Sequence, residues 1–100
     1  MNDIGLSEQT MTQIQNIFRA HPEIERAVLF GSRAIGNYQS HSDIDIALWG
    51  KINERLLAKI YSELDELPLP YQFDVVIYNE MTHQPLREHI DQFGKNIFLY

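Results

Sequence analysis

Residues 30–49 read Phe-Gly-Ser-Arg-Ala-Ile-Gly-Asn-Tyr-Gln-Ser-His-Ser-Asp-Ile-Asp-Ile-Ala-Leu-Trp. Gly31-Ser32 closes one apolar run, and ten residues later Asp43 and Asp45 flank Ile44 at the head of a second. An unpaired carboxylate is expensive to bury, so acids interleaved with Ile44, Ile46 and Leu48 need a reason. Side chains alternate along a strand. Asp43 and Asp45 therefore share one face, and the three aliphatic residues take the other, toward a core. Two carboxylates so close repel, and one stays protonated unless a cation joins them. Mg²⁺ suits the position, because it takes carboxylate oxygens and fills its shell with water and substrate phosphates.

Working outward from this stretch gives a regular alternation of elements. Ser7 caps a first helix, with Leu6 stapled onto Met11 and Met11, Ile14, Ile17 and Phe18 at helical spacing before Pro22. Ala27-Val28-Leu29-Phe30 is a short buried strand ended by Gly31, and Ser32 to Ile35 start a short helix that Gly36-Asn37 ends. Asp43 to Leu48 form the second strand. Asn53 to Leu67 form the clearest helix, with Leu56, Leu57, Ile60, Leu64 and Leu67 on one face, stopped by Pro68 and Pro70. Gln72 to Tyr78 is a third strand, rich in β-branched and aromatic residues. Pro85 suits a first helical turn, Leu86, Ile90 and Phe93 give that last helix its apolar face, and Gly94 caps its end. The tail Ile97 to Tyr100 reads equally well as a final edge strand or as a docking segment. The order α-β-α-β-α-β-α predicts an α/β (α+β) architecture, a small mixed sheet with helices packed on it.

The third strand carries another acid. Asp74 is the single charge in Phe73-Asp74-Val75-Val76-Ile77, and alternation sends it to the face opposite Phe73, Val75 and Ile77. If this strand neighbours the second, three carboxylates converge, which suits two metal ions clamping an in-line displacement. Gly31 lies between a strand and a short helix, where a backbone without Cβ can approach a phosphate and helix-start N–H groups bind anions. Ser32 adds a hydroxyl. Arg33 offers a cation for a triphosphate, although a solvated arginine is an equal reading.

Composition sets the limits. The chain has 100 residues, one domain spanning 1–100, and no cysteine, which excludes disulfides and thiolate zinc sites. The opening Met-Asn-Asp-Ile-Gly has neither the basic nor the apolar region of a signal peptide. No apolar run approaches the ~20 residues of a membrane helix, and the expectation is a cytoplasmic protein. A net charge of −6 with scattered basic residues speaks against a strong grip on nucleic acid. It favours a metal-bound nucleotide or a basic protein surface. The remaining conspicuous side chains read blandly: His41 as a solvated loop residue, His83 and His89 as surface residues without zinc-ligand spacing, Trp49 and Tyr38 as core or rim packing.

Gly31-Ser32, ten residues, then Asp43-Ile44-Asp45 resembles the signature of the DNA polymerase beta-like nucleotidyltransferases, and the small size resembles their minimal members, the MNT proteins. The resemblance covers the chain from its first helix to its tail. It implies the nucleotidyltransferase fold and nucleotidyl transfer from a Mg-bound triphosphate, with ATP as donor and two Mg²⁺ ions. It implies that Asp43 and Asp45 hold the metals. It also implies that Asp74 joins a metal and helps deprotonate the acceptor hydroxyl, and that Gly31, Ser32 and Arg33 meet the nucleotide. It implies a HEPN-type helical partner encoded nearby, with this chain as antitoxin, in some cases by transferring AMP to a tyrosine of the toxin. Two other readings stand beside it: a small-molecule nucleotidyltransferase whose pocket a helical partner completes, and an antitoxin that neutralises by binding alone. Ile35 stands where many members carry a second arginine, and the chain lacks the second domain of larger members.

Overall fold

The computed structural model describes residues 4–100, so the expectation for the very start of the chain lies outside the described residues. Helix α1 (Glu8–Arg19) begins where the Ser7 hydroxyl accepts the Thr10 N–H at 3.0 Å. Leu6 is buried and Met11 packs against the same core, as a hydrophobic staple requires. Strand β1 (Ile24–Phe30) is longer than Ala27–Phe30. Its pairing with the next strand slips between Ile24 and Arg26, and this bulge brings Ile24 into the same core as Ala27 and Leu29. Then come the four-residue α2 (Ser32–Ile35), β2 (Ile44–Gly50), α3 (Glu54–Asp65) and β3 (Phe73–Ile77). A 3₁₀ turn (Tyr78–Glu80), α4 (Gln84–Phe93) and β4 (Lys95–Leu99) complete the order.

The sheet runs β3-β2-β1-β4. β1 is antiparallel to both β2 and β4, while β2 and β3 are parallel, joined by the α3 crossover. The tail is thus an edge strand, and it starts at Lys95 rather than Ile97. On one face Ile14 and Phe18 of α1 and Ile60 and Leu64 of α3 pack on Leu29, Ile44, Ile46, Leu48 and Val75. On the other face Ile90 of α4 packs on Val28, Phe30 and Ala47. Ile44, Ile46 and Leu48 are fully buried, as their alternation predicted.

Several boundaries differ from expectation. Asn53 caps α3 through the Leu56 N–H at 2.8 Å, but the helix ends at Asp65, and Leu67 packs on the core from outside it. Phe93 does not join the apolar face of α4. It is 44% exposed, and its ring lies tilted against His89, centroids 5.5 Å apart. Gly94 does cap α4, yet its backbone is extended (φ −61°), not left-handed. A methyl there would lie 2.4 Å from Val28 Cγ1 and 2.5 Å from the Ile90 carbonyl oxygen, so close approach to β1 explains the glycine.

Candidate active site

The site is built where β1 ends. Phe30 pairs with Asp45 across β1 and β2, and Asp45 pairs with Asp74 across β2 and β3. The three residues form a row across the sheet, and Asp43 sits one step before β2 begins. Parallel register, which no local pattern specifies, sets Asp74 beside Asp45. Asp43 and Asp74 are exposed, and Asp45 is half-buried.

Gly31 turns the chain from Phe30 into α2 with φ 78° and ψ −156°, a combination essentially restricted to glycine. Its bare Cα faces Asp45: a methyl there would lie 2.2 Å from Asp45 Oδ2 and 3.0 Å from its Cγ. Gly31 and the central carboxylate are therefore packed against each other. Ser32, half-buried, opens α2. Four residues make little macrodipole, so any anion held here would rely on individual N–H groups and the Ser32 hydroxyl.

The electrostatics centre on Asp45. Burial, then Asp74, then Asp43 push its carboxyl above the ordinary carboxylate value. Asp74 has a neighbour in α3: Tyr61 Oη lies 3.4 Å from Asp74 Oδ1, accepts the Val75 N–H at 2.7 Å and donates to the Val75 carbonyl at 3.2 Å. Burial foremost, and also Asp74, raise the Tyr61 phenol above its ordinary value.

Strand register brings two of the three acids together, Asp45 and Asp74, while Asp43 stands just before β2 and outside the pairing. The expected convergence does not extend to side-chain placement, because among the described residues no three His, Cys, Asp or Glu side chains already stand close enough to hold a metal ion. Mutual repulsion keeps such carboxylates apart until a cation offsets it. In donor type and charge the residues fit an oxygen-coordinated divalent cation: Asp43, Asp45 and Asp74 supply only carboxylate oxygens, and burial together with the two neighbouring acids raises the Asp45 carboxyl.

Arg33 corrects both of its readings. It is neither solvated nor directed at a phosphate, being 1% exposed. Nε and Nη2 donate to the Ser42 carbonyl (3.1 and 2.9 Å), Nη1 to that of Ile4 (2.9 Å), and Nη2 reaches the Ser40 carbonyl at 3.5 Å. The rings of Tyr38 and Tyr71 flank the guanidinium at 5.2 and 4.8 Å. Arg33 thus grips the peptide just before Asp43, and five donors in a fixed fork suit that task.

His89 is not the surface residue its spacing suggests. Its Nε2 accepts the Gly31 N–H at 2.9 Å, and its ring meets Phe30 edge-on, centroids 6.1 Å apart. A signal was present: Leu86, His89, Ile90 and Phe93 together make an i, i+3, i+4, i+7 face. His41 and His83 are exposed, as read. Trp49 packs at the rim, stacked on Tyr78 at 4.3 Å with Arg26 over its other face. Tyr38 covers Arg33.

Comparison with known proteins gives the same direction. Among curated proteins none matches the sequence. Solved structures match closely in fold. A chain of a toxin–antitoxin complex with AMP-PNP superposes with a TM-score of 0.75 at 22% identity, over 90% of this chain and 73% of that one. A chain from the complex of a tri-AMPylated Shewanella oneidensis HEPN toxin with its MNT antitoxin gives 0.72 at 19% identity, over 95% and 74%. One from an MntA–HepT toxin–antitoxin complex gives 0.63 at 22%, over 94% and 74%. At such identities the likeness shows the fold. The family follows from the sequence profile described as "Polymerase beta, Nucleotidyltransferase", which matches residues 12–100 and so takes in the row of acids and the glycine turn. The chain belongs to the polymerase beta nucleotidyltransferase family.

Proposed function

We propose that this nucleotidyltransferase is Mg²⁺-dependent, moves AMP from ATP to a hydroxyl, a tyrosine, of a HEPN-type helical partner, and acts as an antitoxin in the cytoplasm. The observation that carries the reading is the apposition of Gly31 and Asp45, with Asp74 in register beside Asp45. It sets an anion loop against carboxylates with no wall between them. Similar solved structures include a toxin–antitoxin complex with AMP-PNP and one with an AMPylated HEPN toxin, which supports the donor and the acceptor class.

Asp43, Asp45 and Asp74 would hold Mg²⁺, which when bound neutralises the triphosphate's charge. In the reaction the acceptor oxygen forms a bond to the α-phosphorus and the bond from that phosphorus to the β-phosphate bridging oxygen breaks, releasing pyrophosphate. Asp74, the outermost and exposed carboxylate of the row, takes the hydroxyl proton. Ser32 binds the phosphates through its hydroxyl and its N–H, and the bare Cα of Gly31 lets them approach. Arg33 holds the Ser42 peptide and so positions Asp43. The −6 chain needs a partner for its acceptor, and a basic helical surface complements that charge.

The test is incubation with α-labelled ATP, Mg²⁺ and the neighbouring gene's product. Label on a partner tyrosine is expected. Label on a small metabolite would favour an enzyme whose pocket the partner completes, and stable binding without label would favour neutralisation by binding alone. Asp43→Asn and Asp45→Asn should each abolish transfer in a folded protein. Asp74→Asn should slow single-turnover transfer severely while Mg-ATP still binds, because a nucleophile-side group acts mainly during attack. Near-normal transfer by any of the three removes that residue from the site.

A further inference from the structure

Gly31 is held from two sides. Asp45 packs against its Cα, and the imidazole of His89, projecting from α4, takes its N–H at 2.9 Å. An accepting Nε2 carries no proton, so the neutral ring has its proton on Nδ1. The ring itself is fixed by Phe30, edge-on at 6.1 Å and 76°, and by Phe93 at 5.5 Å. His89 is half-buried, and Ile90 beside it is anchored in the core under β1 and β2. Among the described residues this is the only side chain of α4 recorded as hydrogen-bonded to the turn between β1 and α2.

We propose that His89 is a positioning residue of the nucleotide site: by holding the Gly31 N–H it sets the orientation of the peptide that opens the phosphate-binding turn. The inference rests on the reading of the protein as a nucleotide-binding transferase. Gly31 has no side chain with which to fix itself, and a free glycine samples many backbone conformations besides this one. A hydrogen bond from a rigid helix removes that freedom before the ligand arrives, so less ordering is needed when the triphosphate binds. The same bond makes α4, far along the chain, a wall of the site. Were His89 only a spacer filling the gap between α4 and β1, its reach and its acceptor nitrogen would not matter.

The experiment uses the full chain and Mg-ATP as the probe, in calorimetric titration beside a thermal melt. His89→Ala should weaken Mg-ATP binding about 3- to 10-fold, the usual worth of one hydrogen bond. His89→Gln places an acceptor oxygen near the position of Nε2 and should restore affinity to within about 2-fold. His89→Asn, whose acceptor falls short at the position of Nδ1, should not. In transfer assays most of the loss should fall on KM rather than kcat. Ring ¹⁵N spectra of the wild type should show Nε2 unprotonated and Nδ1 protonated, independently of any nucleotide. Equal affinities for wild type and His89→Ala, equal behaviour of the Gln and Asn variants, or a proton on Nε2 would each overturn the proposal. A wild-type protein that binds no Mg-ATP would instead overturn the reading on which it rests. If His89→Ala does not fold, the Gln–Asn comparison decides.

Discussion

Replacing Gly31 by alanine puts two separate costs on the molecule. The first is backbone strain, since φ 78° with ψ −156° is nearly closed to residues with a Cβ. Holding such a conformation costs about 1–3 kcal/mol. The second is steric. The new methyl would meet Asp45 Oδ2 at 2.2 Å, and rotating the carboxylate relieves that contact but leaves Cγ at 3.0 Å and Cβ at 3.3 Å. Crowding of this kind costs about 1–2 kcal/mol. Together they amount to roughly 2–5 kcal/mol, out of the roughly 5–15 kcal/mol that keeps a domain folded. At about 4–8 °C per kcal/mol for a chain of this length, the melting temperature should fall by roughly 8–40 °C. The assay is urea denaturation in a double-mutant cycle with Asp45→Ala. Without the carboxylate the strain and the 3.3 Å contact with Cβ remain but the closer contacts are gone, so Gly31→Ala should cost about 1 kcal/mol less in that background than in the wild type. Additivity within about 0.5 kcal/mol would refute the apposition of Gly31 and Asp45.

Three further outcomes are expected. Arg33→Met leaves the Ser42 and Ile4 carbonyls without their guanidinium donors and should destabilise the fold by about 2–4 kcal/mol, with Arg33→Lys recovering only part of it; unchanged urea stability with weakened nucleotide binding would restore the phosphate-contact reading. Burial and the neighbouring acids raise the Asp45 carboxyl above the ordinary carboxylate value, so the folded state binds its proton more tightly than the unfolded chain does. Its contribution is favourable below that value and is lost as pH rises through the raised folded value. Asp45→Asn should therefore melt higher than wild type at pH 7, and the gain should vanish below the ordinary carboxylate value. Equal melting temperatures at pH 7 would show that burial and the neighbouring acids do not strain Asp45. Tyr61→Phe removes the hydroxyl that covers the free edge of β3 and should cost about 1 kcal/mol; an unchanged exchange rate for the Val75 amide would contradict that role.

The sequence by itself determined the elements and the chemistry they carry. Two-residue alternation sent Ile44, Ile46 and Leu48 to one face and Asp45 to the other, because a strand offers each side chain only two directions. Ser7, Asn53 and Pro85 marked helix starts by local capping chemistry that needs no distant partner. The Gly-Ser spacing to Asp43 and Asp45 carried the family resemblance. Tertiary structure alone decided what required two distant segments to meet. The position of Asp74 beside Asp45 depends on parallel register across the α3 crossover, and nothing local in Phe73–Ile77 specifies that register. Arg33 looked like a loop cation because its acceptors are the carbonyls of residues 4, 40 and 42, and a backbone carbonyl leaves no mark in a sequence. His89 looked like a surface residue because its partner, the Gly31 N–H, lies 58 residues away and is equally invisible. Side-chain periodicity can be read along one chain, whereas a bond from a side chain to a remote peptide group exists only once the fold has brought the two together.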